Sequence, residues 1–234
     1  MIDPNKKSTD HSPDHPAAAI AEIGDGLVLD GRLALVDPAA RWLAVADLHF
    51  GYEANRRREG ALWPLWGMES IAARLENLVR DWQPETVILA GDIVDGSAAP
   101  DQAIAWIGAL GQLGPRLILV EGNHDRGPVR KAFDWVTSWQ FGDIVFEHGH
   151  LDAREGNTRL RIRGHLHPSI LFSDGSGTRL RLPSLVVETA ADGSRRITLP
   201  AFSPWAGGTR LQTSGEKTLR QWACSPQRVF EIVG

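Results

Sequence analysis

Down this 234-residue chain, short apolar runs keep ending in a polar cluster of the same kind. In order the clusters read Asp47-Leu48-His49, Gly91-Asp92-Ile93-Val94-Asp95-Gly96, Gly122-Asn123-His124-Asp125, His148-Gly149-His150 and Gly164-His165-Leu166-His167. Eight histidines are present; two lie near the N-terminus and the other six all fall inside these clusters. Imidazole, carboxylate and amide groups concentrated this way suit divalent metals with nitrogen and oxygen ligands. They can act together only in a fold that gathers the ends of the apolar runs at one place.

The runs themselves suggest which fold does so. Trp42 to Ala46, Val87 to Ala90, Leu117 to Val120 and Ile144 to Phe146 have the length and composition of strands. Between the first two, Ile71, Leu75, Leu78 and Trp82 recur at helical spacing, predicting an amphipathic helix over Trp66 to Trp82. Asp101 is placed to cap a second helix carrying Ile104, Ile107 and Leu110. The later segments, Arg159 to Arg163, Ser169 to Phe172 and Arg179 to Val187, follow one another without an obvious helix, so the second half reads as β-rich and partly antiparallel. In open α/β sheets, ligands bind where loops converge beyond the C-terminal strand ends. The expectation is an α/β layered fold with one site.

Composition narrows the function classes. At 234 residues the chain is long enough for one large domain, here expected over residues 21 to 234, and short for two. A tail over residues 1 to 20, with His11 and His15 in it, is expected to be disordered and solvated. A net charge of −4 excludes a surface coated in positive charge but not a local basic groove. The single cysteine, Cys224, excludes an internal disulfide framework and reads as a small buried apolar residue. No stretch approaches the roughly 18 apolar residues of a membrane helix, and Met1 to Pro16 lacks an apolar signal region, so the expected compartment is the cytoplasm and no membrane partner is expected.

Within the clusters, Asp47 and His49 stand at i and i+2, as do His165 and His167, so each pair can face one ion from an extended strand end. Asp92 has two oxygens and can bridge two metals, with Gly91 allowing a sharp turn beside it. Asn123 offers a carbonyl ligand and His148 an imidazole. These seven side chains are enough to give each of two ions roughly four protein contacts. Two ions about 3.5–4 Å apart would activate a hydroxide and stabilise both oxygens of an in-line displacement at phosphorus. Asp95 reads as lying behind the ligands. His124 is left free as the general acid for the leaving oxygen, with Asp125 expected to hold its ring. His150 reads as a contact to phosphate or to a ligand, with replacement of His148 as the alternative.

The ordered set D-x-H, G-D-x-x-D, G-N-H-D, H-G-H and G-H-x-H resembles the calcineurin-like metallophosphoesterase superfamily over Asp47 to His167. That resemblance implies a four-layer fold, a two-sheet β-sandwich flanked by helices, with a dinuclear centre at strand C-terminal ends. By its pattern Asp47, His49, Asp92 and His167 would hold one ion, and Asp92, Asn123, His148 and His165 the other. Protein serine/threonine phosphatases carry arginine after the second aspartate of the second motif; Gly96 and Ser97 stand there instead. The text Ala46 to Glu53, Arg56 to Gly60, Gly122 to Arg126 and Leu199 to Pro204 is similar to the bacterial ligase-associated DNA damage response endonuclease family. This implies action on a nucleic-acid phosphodiester in DNA repair, with a ligase, a helicase and an exonuclease as associates. Manganese is the expected ion, with iron, zinc or nickel as alternatives.

Arginine placement bears on the same question. Arg159, Arg161 and Arg163 alternate with Leu160 and Ile162, and Arg179 and Arg181 flank Leu180, placing arginines on one strand face. Arg161 and Arg163 could track a phosphate backbone; a solvated, ion-paired face is the alternative. Arg56 to Arg58 divide the same way. Trp42, Trp82 and Trp106 fall at core positions, whereas Trp63, Trp66 and Trp205 read as packing residues that could instead stack on bases. The expected function is therefore a metal-dependent phosphodiesterase or nuclease. The alternatives are a small-molecule phosphodiesterase or pyrophosphohydrolase acting on nucleotides, and a scaffold, against which retention of His124 speaks.

Overall fold

The computed structural model describes residues 19–151, 158–173, 175–211 and 218–232. The tail expected over residues 1 to 20 lies outside these apart from Ala19 and Ile20, and Ile20 already opens a strand. Strands β1 (Ile20–Gly24), β2 (Leu27–Asp30), β3 (Ala34–Asp37) and β4 (Trp42–Val45) form an antiparallel meander. Helices α1 (Tyr52–Arg58) and α2 (Gly67–Trp82) then lead to β5 (Thr86–Ala90). Helix α3 (Pro100–Gln112) leads to β6 (Arg116–Val120), and α4 (Pro128–Ala132) to β7 (Trp135–Val136). Strands β4 to β7 pair in parallel and in chain order, completing a seven-stranded sheet.

The chain continues with β8 (Ser138–Phe141), β9 (Ile144–Glu147), β10 (Leu160–Arg163), β11 (Ser169–Ser173), β12 (Arg179–Thr189), β13 (Arg195–Thr198), β14 (Thr218–Ser225) and β15 (Arg228–Ile232). These make a second, eight-stranded sheet in the order β15-β14-β12-β13-β10-β9-β8, with β11 paired to β12. Strand β10 runs parallel to both β9 and β13, and the remaining pairs are antiparallel. The second half is β-rich and partly antiparallel, as its sequence predicts.

Burial patterns show how the layers stack. Strand β4 is buried at every position and β5 at all but its first, so the first sheet is covered on both faces. One face carries helices: α2 buries Ile71, Leu75, Leu78 and Val79, and α3 buries Ala103, Trp106, Ile107 and Leu110. The other meets the second sheet, where Trp42 of β4 touches Phe146 of β9 edge-on, centroids 5.1 Å apart. Strand β10 alternates, with Leu160 and Ile162 in the core and Arg161 and Arg163 turned away. Among the described residues all helices precede β7, within the part of the chain that builds the first sheet, and the outer face of the second sheet carries ion pairs. The protein is an α/β two-sheet sandwich with flanking helices. No helix among the described residues is long and apolar enough to cross a membrane.

One local expectation is corrected. Asp101 does not cap α3; the helix begins at Pro100 and Asp101 sits in its first turn. Proline is suited to a first helical position because its missing N–H would be unpaired there anyway.

Candidate metal and catalytic site

The polar clusters converge because the strands preceding them end side by side. The loop after β4 hydrogen-bonds the loop after β5, the amides of Asp47, His49 and Phe50 donating to the carbonyls of Gly91, Asp92 and Ile93. The loop after β10 is tied in by the amide of His165, which donates to the Asp47 carboxylate at 2.9 Å. Past β13 the chain crosses between the sheets: the amides of Phe202 and Ser203 donate to the carbonyls of Ala46 and Asp47. Two glycines permit the close approach. A Cβ on Gly91 would lie 2.4 Å from the His148 ring, and one on Gly122 would lie 2.2 Å from the Asp92 amide and carboxylate.

Three groups of possible ligands result: Asp47 with His49 and His167, Asp92 with His148 and His165, and, sharing His49 with the first, His49 with Asp95 and His124; the first two consist of expected ligands. Asp92 links those two: its Oδ2 lies 3.8 Å from His49 Nε2 and 3.2 Å from His148 Nε2. In the first cluster, His167 Nε2 is 3.4 Å from Asp47 Oδ1 and 3.3 Å from His49 Nε2. In the second, Asn123 Oδ1 is 3.2 Å from His148 Nε2. All seven expected ligands are brought together.

The donor set fits a divalent cation. His148 Nδ1 lies 3.2 Å from the Ala90 carbonyl, and donating there would leave Nε2 with a bare lone pair facing the oxygens of Asp92 and Asn123. Such a meeting of acceptors is stable only with positive charge among them, from a ring proton or a cation. Electrostatics agree. Burial opposes ionisation of Asp92, yet hydrogen bonding to His148 and to the His124 amide draws its pKa down to about 2. Asp47 is fully buried, and its oxygens already accept from the His165 amide.

His124 stands at the open side with 45% of its side chain exposed, and its ring meets that of His49 edge-on. Its Nδ1 lies 2.8 Å from Asp95 Oδ1, and this hydrogen bond raises the imidazole pKa above its ordinary value. Asp95 is buried, a cost that pairing with His124, His49 and Asn55 overcomes, holding its carboxyl well below the usual range. The expectation that Asp125 holds the ring is corrected. Asp125 turns inward, where its two oxygens accept from the amides of Val94 and Gly122, and burial pushes its pKa up to about 6. It shapes the loop, while Asp95 orients the histidine.

His150 stays outside both clusters, its ring 5.2 Å from that of His148 and 6.3 Å from that of His165, with Nδ1 buried and without a partner. Arg161 pairs with Glu147 at 3.2 Å. Arg163 reaches Glu188 at 3.7 Å and Thr198 Oγ1 at 3.3 Å, and its stem packs under Gly149. These contacts are those of the ion-paired alternative. Arg56 likewise pairs with Glu59 at 2.9 Å.

Sequence reasoning named Trp63, Trp66 and Trp205 as packing residues that could stack on bases, but not that they join Tyr52 in an aromatic wall beside the site. A cavity of about 230 Å³ over His49, Asp95, His124 and His167 is bounded by Tyr52 and Trp205. Trp205 packs edge-on against Trp63 at 4.9 Å and tilted against Trp66 at 4.5 Å, and Trp63 meets Tyr52 at 5.4 Å. Trp205 is anchored by its indole N–H, which donates to the buried Glu53 at 2.9 Å. Pro64 and Pro204 marked these segments as irregular, but nothing in the chain order announced that they meet.

Comparison with known proteins agrees with this geometry. The model of the family described as calcineurin-like phosphoesterase matches residues 40–229. No curated protein sequence matches significantly. Among solved structures, a nuclease MPE from Pseudomonas putida is similar with 25% identity and a TM-score of 0.66, covering 92% of this chain and 100% of that one. YfcE, a phosphoesterase from E. coli, shares 13% identity with a TM-score of 0.46, covering 82% of this chain and 97% of its own. With the family's model matched over most of its length, the chain belongs to the calcineurin-like phosphoesterase family, and it is a metal-dependent phosphoester hydrolase.

Proposed function

We propose that this hydrolase is a nuclease cleaving phosphodiester bonds of DNA, with two divalent ions, manganese best suited to the site. The observation that carries the two-ion reading is the single Asp92 oxygen lying near a histidine of each cluster, 3.8 Å from one and 3.2 Å from the other. Asp47, His49, His167 and Asp92 would hold one ion; Asp92, Asn123, His148 and His165 the other. Such ions supply an activated water nucleophile and neutralise charge on the phosphoryl oxygens.

The chain's own residues do the rest. His124, held at Nδ1 by Asp95, has its protonated form favoured by that bond and donates Nε2–H to the departing oxygen. The raised pKa is what makes it a ready acid. Tyr52 and Trp205 give the cavity flat apolar walls on which a base can stack. The 25% identity to a nuclease over nearly the whole chain supports a nucleic-acid substrate. A place in repair, beside a ligase, a helicase and an exonuclease, follows from the motif resemblance.

Nicking of supercoiled plasmid with manganese tests the reading. Activity should fall at least a hundredfold in His124→Ala and decline steeply with salt. Absence of nicking while cyclic nucleotides or nucleotide diphosphates turn over would refute it in favour of a small-molecule phosphodiesterase.

A further inference from the structure

Behind the catalytic cavity, on the far side of His167, Ser203 and Ala206, lies a second cavity of about 320 Å³. Its size is that of a small-ligand pocket. Apolar surface from Leu33, Leu182 and Pro183 lines much of it, and Arg74 of α2 and Arg181 of β12 also contribute. No carboxylate lines it.

Arg74 is the informative residue. It is partly buried and lines the cavity, and desolvation lowers its pKa to about 10. One guanidinium nitrogen, Nη2, donates to the Phe202 carbonyl, and the guanidinium carbon sits 3.9 Å from the Phe202 ring centroid. Its Nε is buried without a hydrogen-bond partner. Among the described residues no carboxylate pairs with it. Arg181 is held by neutral groups only, its Nη1 donating to Ser169 Oγ at 2.9 Å and to the Gly208 carbonyl at 3.3 Å. A buried cation without a counter-charge is costly. Arg74, and Arg181 exposed at the mouth, both lacking a carboxylate partner on one cavity, leave a site for an anion, and the planar guanidinium matches phosphate in particular.

We infer that this cavity is a nucleotide subsite, taking the phosphorylated nucleoside unit that adjoins the bond being cut, with its phosphate on Arg74 and Arg181 and its base on the apolar wall. The inference rests on the nuclease reading for which unit enters, and His167 and Ser203 supply the link, since they wall both cavities. The phosphate could belong to the strand under attack or to a free mononucleotide; the chemistry of the subsite is the same.

Thymidine 5′-phosphate titrated into the full chain, with manganese and again with excess chelator, tests it. Binding should persist without metal and weaken at least tenfold in Arg74→Gln; equal affinity in that variant would overturn the assignment. Should Arg74→Gln fail to fold, Arg181→Ala at the exposed mouth is the second variant, and weakening of about threefold or more is expected; no change would count against the subsite. Inorganic phosphate should bind at least tenfold more weakly than the nucleotide, and equal affinity would remove the nucleoside from the proposal. For the strand, thymidine 5′-phosphate should compete with a short oligonucleotide, and Arg181→Ala should raise KM for it more than it lowers kcat. Non-competitive inhibition would instead make the cavity a separate regulatory site and overturn the inference. Turnover of an aryl phosphodiester by the unmodified protein reports on the nuclease site alone. Its absence, with Arg74-dependent nucleotide binding retained, would sink the nuclease reading and support the cavity.

Discussion

Replacing Asp95 by asparagine tests the contact that orients His124, the shortest of the contacts Asp95 makes to His124, His49 and Asn55. The bond between Asp95 Oδ1 and His124 Nδ1 is 2.8 Å long and Asp95 is only 4% exposed, so water screens it little. A hydrogen bond to a charged group contributes about 1.5–3 kcal/mol. At about 1.4 kcal/mol per tenfold, its loss from the state in which His124 carries two protons predicts a fall in kcat of roughly 10- to 100-fold on DNA. Asparagine also presents a donor where an acceptor stood, so the imidazole should titrate at lower pH. The effect should depend on the leaving group. An alkoxide leaving from DNA needs the acid, whereas nitrophenolate leaving from an aryl diester needs it far less, so the aryl substrate should lose only a few fold. The control is Asp125→Asn. There the two oxygens accept from backbone amides, so an NH2 in place of one oxygen sets donor against donor and costs about 1–3 kcal/mol of stability. Kinetics on both substrates, histidine NMR titration and thermal melting separate the two variants. If Asp125→Asn shifted the His124 titration and spared the melting temperature, while Asp95→Asn did neither harm, the assignment of the orienting carboxylate would be wrong.

Three further outcomes are expected. Gly122→Ala puts a methyl group 2.2 Å from the Asp92 amide and Oδ1; the forced shift should cost about 1–3 kcal/mol in a denaturant melt and weaken manganese binding by calorimetry. Phe146→Ala removes a fully buried ring that bridges the sheets to Trp42 and should cost about 3–5 kcal/mol, with a smaller loss refuting the view that this contact joins the layers. Cys224 is buried and its thiol pKa is pushed up to about 12, so it should resist alkylation in the native protein and react fully once unfolded; rapid native labelling would show that the strand opens.

The proposed metal ligands could be picked out from sequence because each is announced locally, by a glycine or a strand end beside it. The helix α2 was legible because Ile71, Leu75, Leu78 and Trp82 repeat at its period, and it begins at Gly67, one residue after Trp66. What escaped depends on contacts between distant segments. Asp95 and Asp125 stand in equivalent-looking turns, and only the fold decides that one carboxylate points at His124 and the other at two amides. The insertion of β13 between β10 and β12 brings Arg195 beside Leu160, a pairing that no local pattern specifies. The arginine alternation predicted a face correctly, but whether that face binds phosphate or carboxylate depends on Glu147 and Glu188, which come from two other strands. The second cavity draws on α2, β12 and the loops around Pro204 and Pro226, and is invisible for the same reason.

Backbone strain connects fold and site. Among the described residues nine non-glycine residues have positive φ, and five of them are proposed ligands: Asp47, His49, Asp92, His165 and His167, with φ between 46° and 71°. A left-handed residue of this kind costs about 1–2 kcal/mol, so the five together hold strain on the scale of a domain's whole net stability. Aspartate and histidine tolerate this region better than most residues, so the side chains proposed to bind metal are also those that can occupy these turns. Turning the chain sharply at these points is what aims ligands from separate strands inward within a few ångströms. An empty site keeps the strain and adds the mutual repulsion of crowded acceptors. A bound cation removes the repulsion, so manganese should stabilise the protein by about 2.7 kcal/mol at a hundred times its Kd. That gain should vanish in His49→Ala while the left-handed turns, set by backbone hydrogen bonds from Asp47, His49 and Phe50, persist. If the variant gained as much from manganese as the parent, the ions would have to bind elsewhere, and the strained turns would need another cause.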